Sequence, residues 1–308
     1  MILTVTANPT IDRVYFIDDL ETGKLHRAKR VSRSAGGKGI NVARVATILG
    51  RKTGAMGFVG GYTGDFIRSE VEKLGIENML TNIMGETRTS VNITNDKGAS
   101  CEILEEGPEI TEEEKNDFIK TYTNRISDYD VICVSGSLPK GLTGSFYREL
   151  VCIAKENRKK IIVDTGGVAL LEILSSSPFM VKPNQDEVSD LMNLEITTDD
   201  DMKKALYYLN EKGVEVPFIS MGKDGASALI DGCCYKFVVP SVKVVNTVGS
   251  GDSAIAGVAT GIDMGMSLVN SIKLGMAAGI VNTQFEQTGV VTSEMVEKFY
   301  NLVEVKMI

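Results

Sequence analysis

Six short apolar runs rich in β-branched residues recur along the chain, and longer segments with helical spacing separate them. The runs are ILTVTA (2–7), AMGFVG (55–60), VICVSG (131–136), KIIVDT (160–165), FMVKPN (179–184) and PFISMG (217–222). Their hydrophobicity is continuous rather than alternating, as strands buried on both faces require. The pattern therefore predicts an α/β fold with a mainly parallel sheet flanked by helices on both faces. The predicted helices lie around 41–49, 64–74, 112–127, 143–157, 199–212, 251–264 and 267–284.

Residues 12–33 and 87–105 break this rhythm, because polar and apolar positions alternate there with the period of exposed strands. Asn95, Asp96, Lys97 and Gly98 predict a turn within the second segment. Antiparallel strands of this kind do not fit inside a parallel sheet. We therefore expect a single domain, 1–308, with a small β lid over one edge. The open edges and apolar face of such a lid predict a homodimer formed through it.

Polar clusters follow directly after the apolar runs, at residues 8–12, 135–137, 164–167, 182–184 and 220–225. The carboxyl ends of parallel strands meet at one edge of a sheet, so these clusters are expected to lie together. The sequence predicts a ligand site at that edge.

Composition removes several kinds of function. The chain of 308 residues has 33 Lys and Arg against 41 Asp and Glu, a formal charge of −8 that argues against nucleic-acid binding over the whole surface. Its single histidine, His26, excludes multi-histidine metal centres. The five cysteines show no CxxC spacing and indicate neither a disulfide framework nor a zinc site. No apolar stretch is long enough for a membrane helix, and we expect a cytoplasmic protein without membrane contact.

The segment Gly249-Ser250-Gly251-Asp252 is the strongest local signal. It follows the strand-like VKVVN (242–246) and precedes a helix of small residues. Glycines allow close approach of the backbone, and the free N–H groups of a first helical turn form an anion site suited to a transferring phosphoryl group. Asp252 is expected to have a depressed pKa there and to accept a proton from an attacking hydroxyl. The alternative is that Asp252 only caps the helix.

The same residues also match a dinucleotide fingerprint, G-x-G-x-x-A. That match lacks a following βαβ unit, and the next acidic residue, Asp263, lies in the same predicted helix. An oxidoreductase is therefore kept only as an alternative of a different class.

Three further turns suit nucleotide, metal or sugar, although each has a structural alternative. Gly36-Gly37-Lys38-Gly39-Ile40-Asn41 opens a helix and is either a ligand loop or a plain one. Asn184 and Glu187 share one face of a helix start, where they hold hydrated Mg²⁺ or form a capping box. Residues 220–225 form either a phosphate turn or a hairpin.

Taken together and in order, these motifs resemble the PfkB, or ribokinase-like, family of carbohydrate kinases. The resemblance runs from Asp12 through GGKGIN (36–41), SGSLPKG (135–141), VKPNQDE (181–187) and SMGKDG (220–225) to NTVGSGDSAIAG (246–257). It implies the ribokinase-like fold, ATP and Mg²⁺ as cosubstrates, and Asp252 as the base beside an anion hole formed by Gly249, Ser250 and Gly251. The ATP and Mg²⁺ residues it implies are Lys182, Asn184, Glu187, Ser220, Gly222 and Gly225, with Glu187 binding the metal through water. The substrate residues it implies are Asp12, Gly36, Gly37, Lys38, Asn41 and Ser137.

Arg88 decides the substrate class within this resemblance. Sugar-phosphate kinases of the family place an arginine at this lid position, where a guanidinium can bind the existing phosphate bidentately. GETR (85–88), EILEEGPEI (102–110) and EQTGVV (286–291) resemble most the kinases that act on tagatose 6-phosphate, followed by those that act on fructose 1-phosphate. Kinases of fructose 6-phosphate are a more distant match. The family also implies a basic lid residue from a neighbouring subunit, here Lys24 or Arg27. A protein that binds nucleotide or sugar without catalysis remains an alternative.

Overall fold

The computed structural model of the chain describes residues 1–95 and 100–308, so Asp96, Lys97 and Gly98 of the predicted turn lie outside the described residues. The strands are β1 (Ile2–Thr6), β2 (Thr10–Phe16), β3 (Arg30–Gly36), β4 (Thr53–Val59), β5 (Glu77–Asn78), β6 (Thr81–Asn82), β7 (Arg88–Thr94), β8 (Ser100–Leu104), β9 (Val131–Ser135), β10 (Lys160–Asp164), β11 (Met180–Val181), β12 (Val216–Ser220), β13 (Ala226–Ile230), β14 (Cys233–Val238) and β15 (Glu304–Met307). The helices are α1 (Lys38–Ile48), α2 (Gly61–Lys73), α3 (Glu112–Arg125), α4 (Gly144–Glu156), α5 (Gly167–Leu174), α6 (Gln185–Met192), α7 (Asp199–Glu211), α8 (Ser250–Asp263), α9 (Leu268–Asn282) and α10 (Ser293–Leu302). Within the described ranges, no helix has the length and apolar character needed to cross a membrane.

The large sheet has the order β15-β14-β13-β12-β11-β10-β9-β1-β4-β5, and β6 also pairs with β4. Pairing is parallel from β12 to β5, and this part contains all six strands expected from the apolar runs. The predicted α/β class with a mainly parallel sheet is therefore confirmed. Strands β13, β14 and β15 extend the sheet in the antiparallel sense. Of these, β13 was expected only as the second strand of the hairpin alternative at 220–225, and β14, β15, α5 and α10 were not predicted.

Both faces of the parallel strands are covered, which explains their continuous hydrophobicity. In β1, Leu3 and Val5 pack into a cluster with α3 to α7, whereas Ile2 packs with α1 and α8 to α10 on the other face. Alternate residues of one strand therefore enter two different cores.

The small sheet has the order β3-β2-β7-β8 and lies outside the large one. Its outer pairs are antiparallel, as expected, but β2 and β7 are parallel, with Thr10 opposite Arg88 and Phe16 opposite Thr94. The expectation of purely antiparallel lid strands is wrong for this pair. The connection from β2 to β7 passes through α1, β4 and α2, and a crossover of that length permits parallel pairing.

Helices α8 and α9 pack at backbone distance. A Cβ at Gly257 would lie 2.6 Å from the Cα atom of Gly275, and one at Gly275 would lie 2.5 Å from the carbonyl oxygen of Ala254. A Cβ at Gly261 would lie 2.7 Å from the Cα atom of Ser271. The small residues that mark this part of the sequence therefore fix α8 against α9.

Candidate active site

The turn before α8 ends at Gly249, which is the N-cap of the helix and has a φ of 79°. This left-handed conformation favours glycine, and a Cβ there would collide with Thr288 and lie 3.2 Å from the backbone nitrogen of Gly289. Asp252 lies in the first turn and does not cap the helix, so the capping alternative is wrong. The expected strand at 242–246 is also absent, because the N–H groups of Val245 and Asn246 donate to the carbonyl of Thr283 instead.

Asp252 is buried, and the amide Nδ2 of Asn41 donates to its Oδ2 over 2.8 Å. Burial raises the pKa of Asp252 to about 6, and the neighbouring Asp164 carboxylate acts in the same direction. The hydrogen bond from Asn41 and the charges of Lys38 and Lys182 oppose this shift. The expected depressed pKa is therefore wrong, because burial outweighs the favourable helix terminus. A carboxylate that titrates near pH 6 is still ionised at neutral pH and is a stronger base than an ordinary aspartate.

Asp164, at the end of β10, organises the cations around this turn. Its Oδ2 lies 3.5 Å from the Nζ atom of Lys38, and its Oδ1 lies 3.4 Å from that of Lys182. A Cβ at Gly251 would lie 3.4 Å from the same Lys182 Nζ, so this buried ammonium group faces the glycine turn. Burial alone would lower the pKa of Lys38, but the carboxylates of Asp164, Asp252 and Glu187 outweigh it and raise that pKa. Sequence reasoning missed Asp164 as a single residue, although its position directly after an apolar run was a signal.

Asn184 and Glu187 form a reciprocal capping box at the start of α6. The N–H of Glu187 donates to Asn184 Oδ1, and the N–H of Asn184 donates to Glu187 Oε2, both over 2.8 Å. The structural alternative for this pair is therefore present. The second carboxylate oxygen remains beside Gly166, where a Cβ would lie 2.6 Å from it. The capping box thus uses one carboxylate oxygen of Glu187, and the other oxygen faces the loop after β10.

Ser220 lies next to this helix start. Its backbone forms a bridge with Asn184, and its hydroxyl donates to the carbonyl of Pro183 over 3.4 Å. Gly222 and Gly225 belong to the turn between the antiparallel strands β12 and β13, so the hairpin alternative is present as well. These residues lie one strand further along the sheet than Lys182.

Asp12 on β2 and the Gly36–Gly37 pair at the end of β3 lie together at the start of α1. A Cβ at Gly36 would overlap the carboxylate of Asp12, which shows that Asp12 rests directly on this glycine. Burial raises the pKa of Asp12 to about 6, against the opposing charges of Arg44 and Arg88. Gly37 is the N-cap of α1, so the helix begins at Lys38, three residues before the predicted start.

Arg88 lies between two adjoining grooves of about 670 and about 490 Å³. Its Nε and Nη2 donate to the carbonyl of Asn8 over 3.2 and 3.0 Å, and its Nη1 donates to that of Glu105 over 3.1 Å. Two of its five N–H groups have no hydrogen-bond partner among the described residues. Ser137 is exposed and lines the smaller groove together with Lys140. Apart from Arg88 and Lys140, the charged residues that line the larger groove are acidic, namely Glu86, Glu105, Glu106 and Glu109.

The chain is similar to known proteins over nearly its whole length. The family model described as pfkB family carbohydrate kinase matches residues 5–294. This chain belongs to the pfkB family of carbohydrate kinases. A tagatose-6-phosphate kinase of Staphylococcus epidermidis is 37% identical over 308 residues, with 99% of each chain covered.

Solved structures agree with this membership. Phosphofructokinase-2 of Escherichia coli superposes with a TM-score of 0.90 at 27% identity, covering 98% of each chain. A Thermotoga maritima protein provisionally assigned as a 1-phosphofructokinase has a TM-score of 0.88 at 28% identity, covering 100% of this chain and 99% of its own. The predicted ribokinase-like fold is therefore confirmed, and ATP is the phosphoryl donor that membership implies. In this pfkB chain α8 is followed by α9 rather than by a strand, so the dinucleotide alternative also lacks its structural unit.

Proposed function

We propose that the protein transfers a phosphoryl group from ATP to a ketohexose phosphate to give a bisphosphate, with tagatose 6-phosphate as the leading substrate. The observation that carries the proposal is the position of Asp252, buried in the first turn of α8 beside a glycine turn and two lysines. A group ionised at neutral pH, with N–H donors and ammonium groups around it, suits proton removal and charge stabilisation in phosphoryl transfer.

In the proposed reaction a sugar hydroxyl oxygen attacks the γ-phosphorus, its proton passes to Asp252, and ADP leaves. Gly249 and Gly251 supply N–H donors to the transferring group, and Ser250 lies between them with its own N–H donating to the carbonyl of Thr247 over 3.2 Å. Lys182 adds positive charge beside Gly251. Asp12, Gly36, Gly37, Lys38 and Asn41 hold the sugar, and Ser137 and Arg88 lie toward its phosphate. The nucleotide is bound by Asn184, Ser220, Gly222 and Gly225.

Mg²⁺ is proposed as the metal that accompanies ATP, held by Glu187 through water. Both oxygens of Asp164 already face ammonium groups, whereas one oxygen of Glu187 is not used by the capping box. Mg²⁺ retains several waters and needs few protein ligands, so this donor set fits it. Within 1–95 and 100–308, no three His, Cys, Asp or Glu side chains come together as a dedicated metal cage. When bound, the ion would neutralise phosphate charge.

Glu187→Gln is expected to raise the Mg²⁺ concentration that gives half-maximal rate. Glutamine preserves the capping box, so the substitution removes the charge without removing the cap. The measurement is the initial rate against free Mg²⁺ at fixed ATP.

The matched control is Asp186→Asn, because Asp186 is exposed in the same first turn and carries the same charge. Equal shifts in both variants would mean a general charge effect. An unchanged Mg²⁺ dependence in Glu187→Gln would leave capping as the residue's only role.

The substrate is tested by release of ADP with tagatose 6-phosphate, fructose 1-phosphate and fructose 6-phosphate. Preference for the first supports the proposal, and preference for the second favours the 1-phosphofructokinase alternative. No turnover with any of the three, together with binding of ATP, would favour a binding protein without catalysis. These sugars differ in one configuration or in the phosphorylated end, so their kcat/KM values must be compared directly.

We further propose a homodimer through the small sheet. Val31 on edge strand β3 and Ile103 on edge strand β8 are exposed, and the acidic grooves around Arg88 would gain positive charge from Lys24 or Arg27 of a second copy.

Val31→Asp is expected to lower the mass in sedimentation to that of a monomer. Leu302→Asp on α10 is the control, since its side chain is also exposed but lies outside the small sheet. A monomeric wild-type chain at micromolar concentration would contradict the proposal.

A further inference from the structure

Arg44 is a buried arginine on α1, one turn after Asn41, and only 9% of it is exposed. Its Nη1 donates to Asn41 Oδ1 over 2.9 Å and to the carbonyl of Thr288 over 3.1 Å, and its Nη2 donates to the carbonyl of Ala35. One guanidinium group thus joins α1, the end of β3 and the loop after α9. Arginine is suited to this because its fork of donors is rigid.

The bond to Asn41 fixes which way that amide faces. Arginine can only donate hydrogen bonds, so the oxygen of the Asn41 amide must face Arg44. Its Nδ2 must then point the other way, where it donates to Asp252 over 2.8 Å. Two hydrogen bonds therefore connect Arg44 to the proposed base.

The bond to Thr288 reaches the glycine turn by a second route. The Thr288–Gly289 segment is in close contact with Gly249, the N-cap of α8. Asn282 holds the same segment, because its Oδ1 accepts from the N–H of Gly289 over 2.8 Å while its Nδ2 donates to the carbonyl of Val248 over 2.9 Å. Arg44 thus supports both the base and the turn beside it.

We propose that Arg44 is a positioning residue for phosphoryl transfer, which holds the Asn41 amide in the orientation that donates to Asp252 and holds residues 288–289 against Gly249. The proposal rests on the proposed function of Asp252 as the base. It assigns Arg44 no contact with substrate.

The charged groups that face Asp252 are Lys38 and Arg44 on α1, Asp164 at the end of β10 and Lys182 after β11. With Arg44 replaced, the Asn41 amide is free to present its oxygen to Asp252. An amide oxygen can accept a hydrogen bond only from the protonated carboxyl, so it stabilises the neutral form. The Asp252 pKa is then expected to rise above its value of about 6.

Arg44→Gln is the test, with kcat measured against pH at saturating substrates. We expect the acid limb to move up by about one pH unit, so that the ratio of kcat at pH 6 to kcat at pH 8.5 falls from about one half in the wild type to about one tenth in the variant. The KM for ATP should stay within about twofold. The matched control is Arg68→Gln, since Arg68 on α2 also donates to a backbone carbonyl, that of Leu80. This control variant should leave the acid limb at its wild-type pH.

A readout without turnover separates this proposal from the proposed function. Carbon-13 NMR of the aspartate carboxyl groups, with Asp252 assigned by its loss in Asp252→Asn, follows the titration in the protein without substrates. If no sugar phosphate is turned over, the proposed function fails, while the NMR titration still tests Arg44. In an Asn41→Ala background, Arg44→Gln should shift the titration by a clearly smaller amount, because only the direct charge of Arg44 on Asp252 is then lost and the amide is already gone.

Equal losses at all pH values with an unchanged Asp252 titration would overturn the proposal, as would a shift of undiminished size in the Asn41→Ala background. If Arg44→Gln does not fold, Arg44→Lys replaces it. A single ammonium group cannot serve three separate acceptors as the fork does, so a smaller shift in the same direction is expected. A folded Arg44→Lys protein with a wild-type titration contradicts the positioning role.

Discussion

Asp252→Asn is expected to lower kcat by roughly 10² to 10⁴-fold while the KM for ATP and for the sugar stays nearly unchanged. The substitution keeps the shape of the side chain and an oxygen for Asn41 but removes the ability to accept a proton. Single-turnover measurements in a rapid-quench apparatus check it, because they isolate the chemical step. Asp65→Asn, at an exposed position of α2, is the control for loss of a carboxylate elsewhere. More than about half of the wild-type rate in the chemical step would show that Asp252 is not the base.

Asp252→Asn is expected to lower activity but to raise the free energy of unfolding at alkaline pH. The folded-state pKa of Asp252 is raised from 3.8 to about 6, so the folded protein binds this proton more tightly than the unfolded chain does. Wild-type stability therefore falls as pH rises through this window, by on the order of 1–3 kcal/mol. Asp252→Asn should lack that fall and be more stable than wild type at pH 8, with the gain lost near pH 4. Denaturant unfolding at both pH values measures it.

Arg88→Ala is expected to lower kcat/KM for the sugar phosphate by at least roughly tenfold, because charge-assisted hydrogen bonds contribute about 1.5 to 3 kcal/mol each. Arg88 has two N–H groups without partners among the described residues and lies between the two grooves. Those donors suit a phosphate already present on the sugar. Lysine offers a point charge rather than two parallel donors, so Arg88→Lys should restore only part of the loss.

A ketohexose without phosphate is the internal control for Arg88→Ala. The other three N–H groups of Arg88 donate to the carbonyl oxygens of Asn8, in the loop after β1, and of Glu105, directly after β8, and so connect these two segments. If this structural support were the only role, both sugars would lose the same factor. Equal losses would therefore remove the main argument for a phosphorylated substrate.

The parallel strands could be predicted because burial on both faces leaves a continuous apolar signature, as in β10. The antiparallel extension left no such signature. Strand β15 has the sequence EVKM at the sheet edge, where charged residues are tolerated, and α5 (GVALLEIL) is too apolar for its period to separate helix from strand. The VKVVN segment shows the reverse error, since β-branched residues indicated a strand that tertiary hydrogen bonding replaced.

The candidate site shows a similar division. The glycine turns and the residues within them could be predicted, because each turn is recognised from the spacing of residues that are adjacent in the sequence. The position of Asp164 at the site edge was visible, but its pairing with Lys38 was not, and Arg44 was not found at all, since each acts on groups distant in sequence. The direction of the Asp252 pKa shift was missed for the same reason. A helix terminus is visible in sequence, but the burial of Asp252 and the carboxylate contributed by β10 are not.

The glycine contacts between α8 and α9 bear on how this enzyme's substrate range can be re-engineered. Backbone atoms fix the two helices through Gly257, Gly261 and Gly275, so no repacking of side chains can compensate for a shift of either helix. Directed evolution at these glycines should yield mainly inactive or unfolded variants. Residues 85, 86, 104–109 and 137–140 line the grooves and offer the positions where a library can change the sugar without moving Asp252.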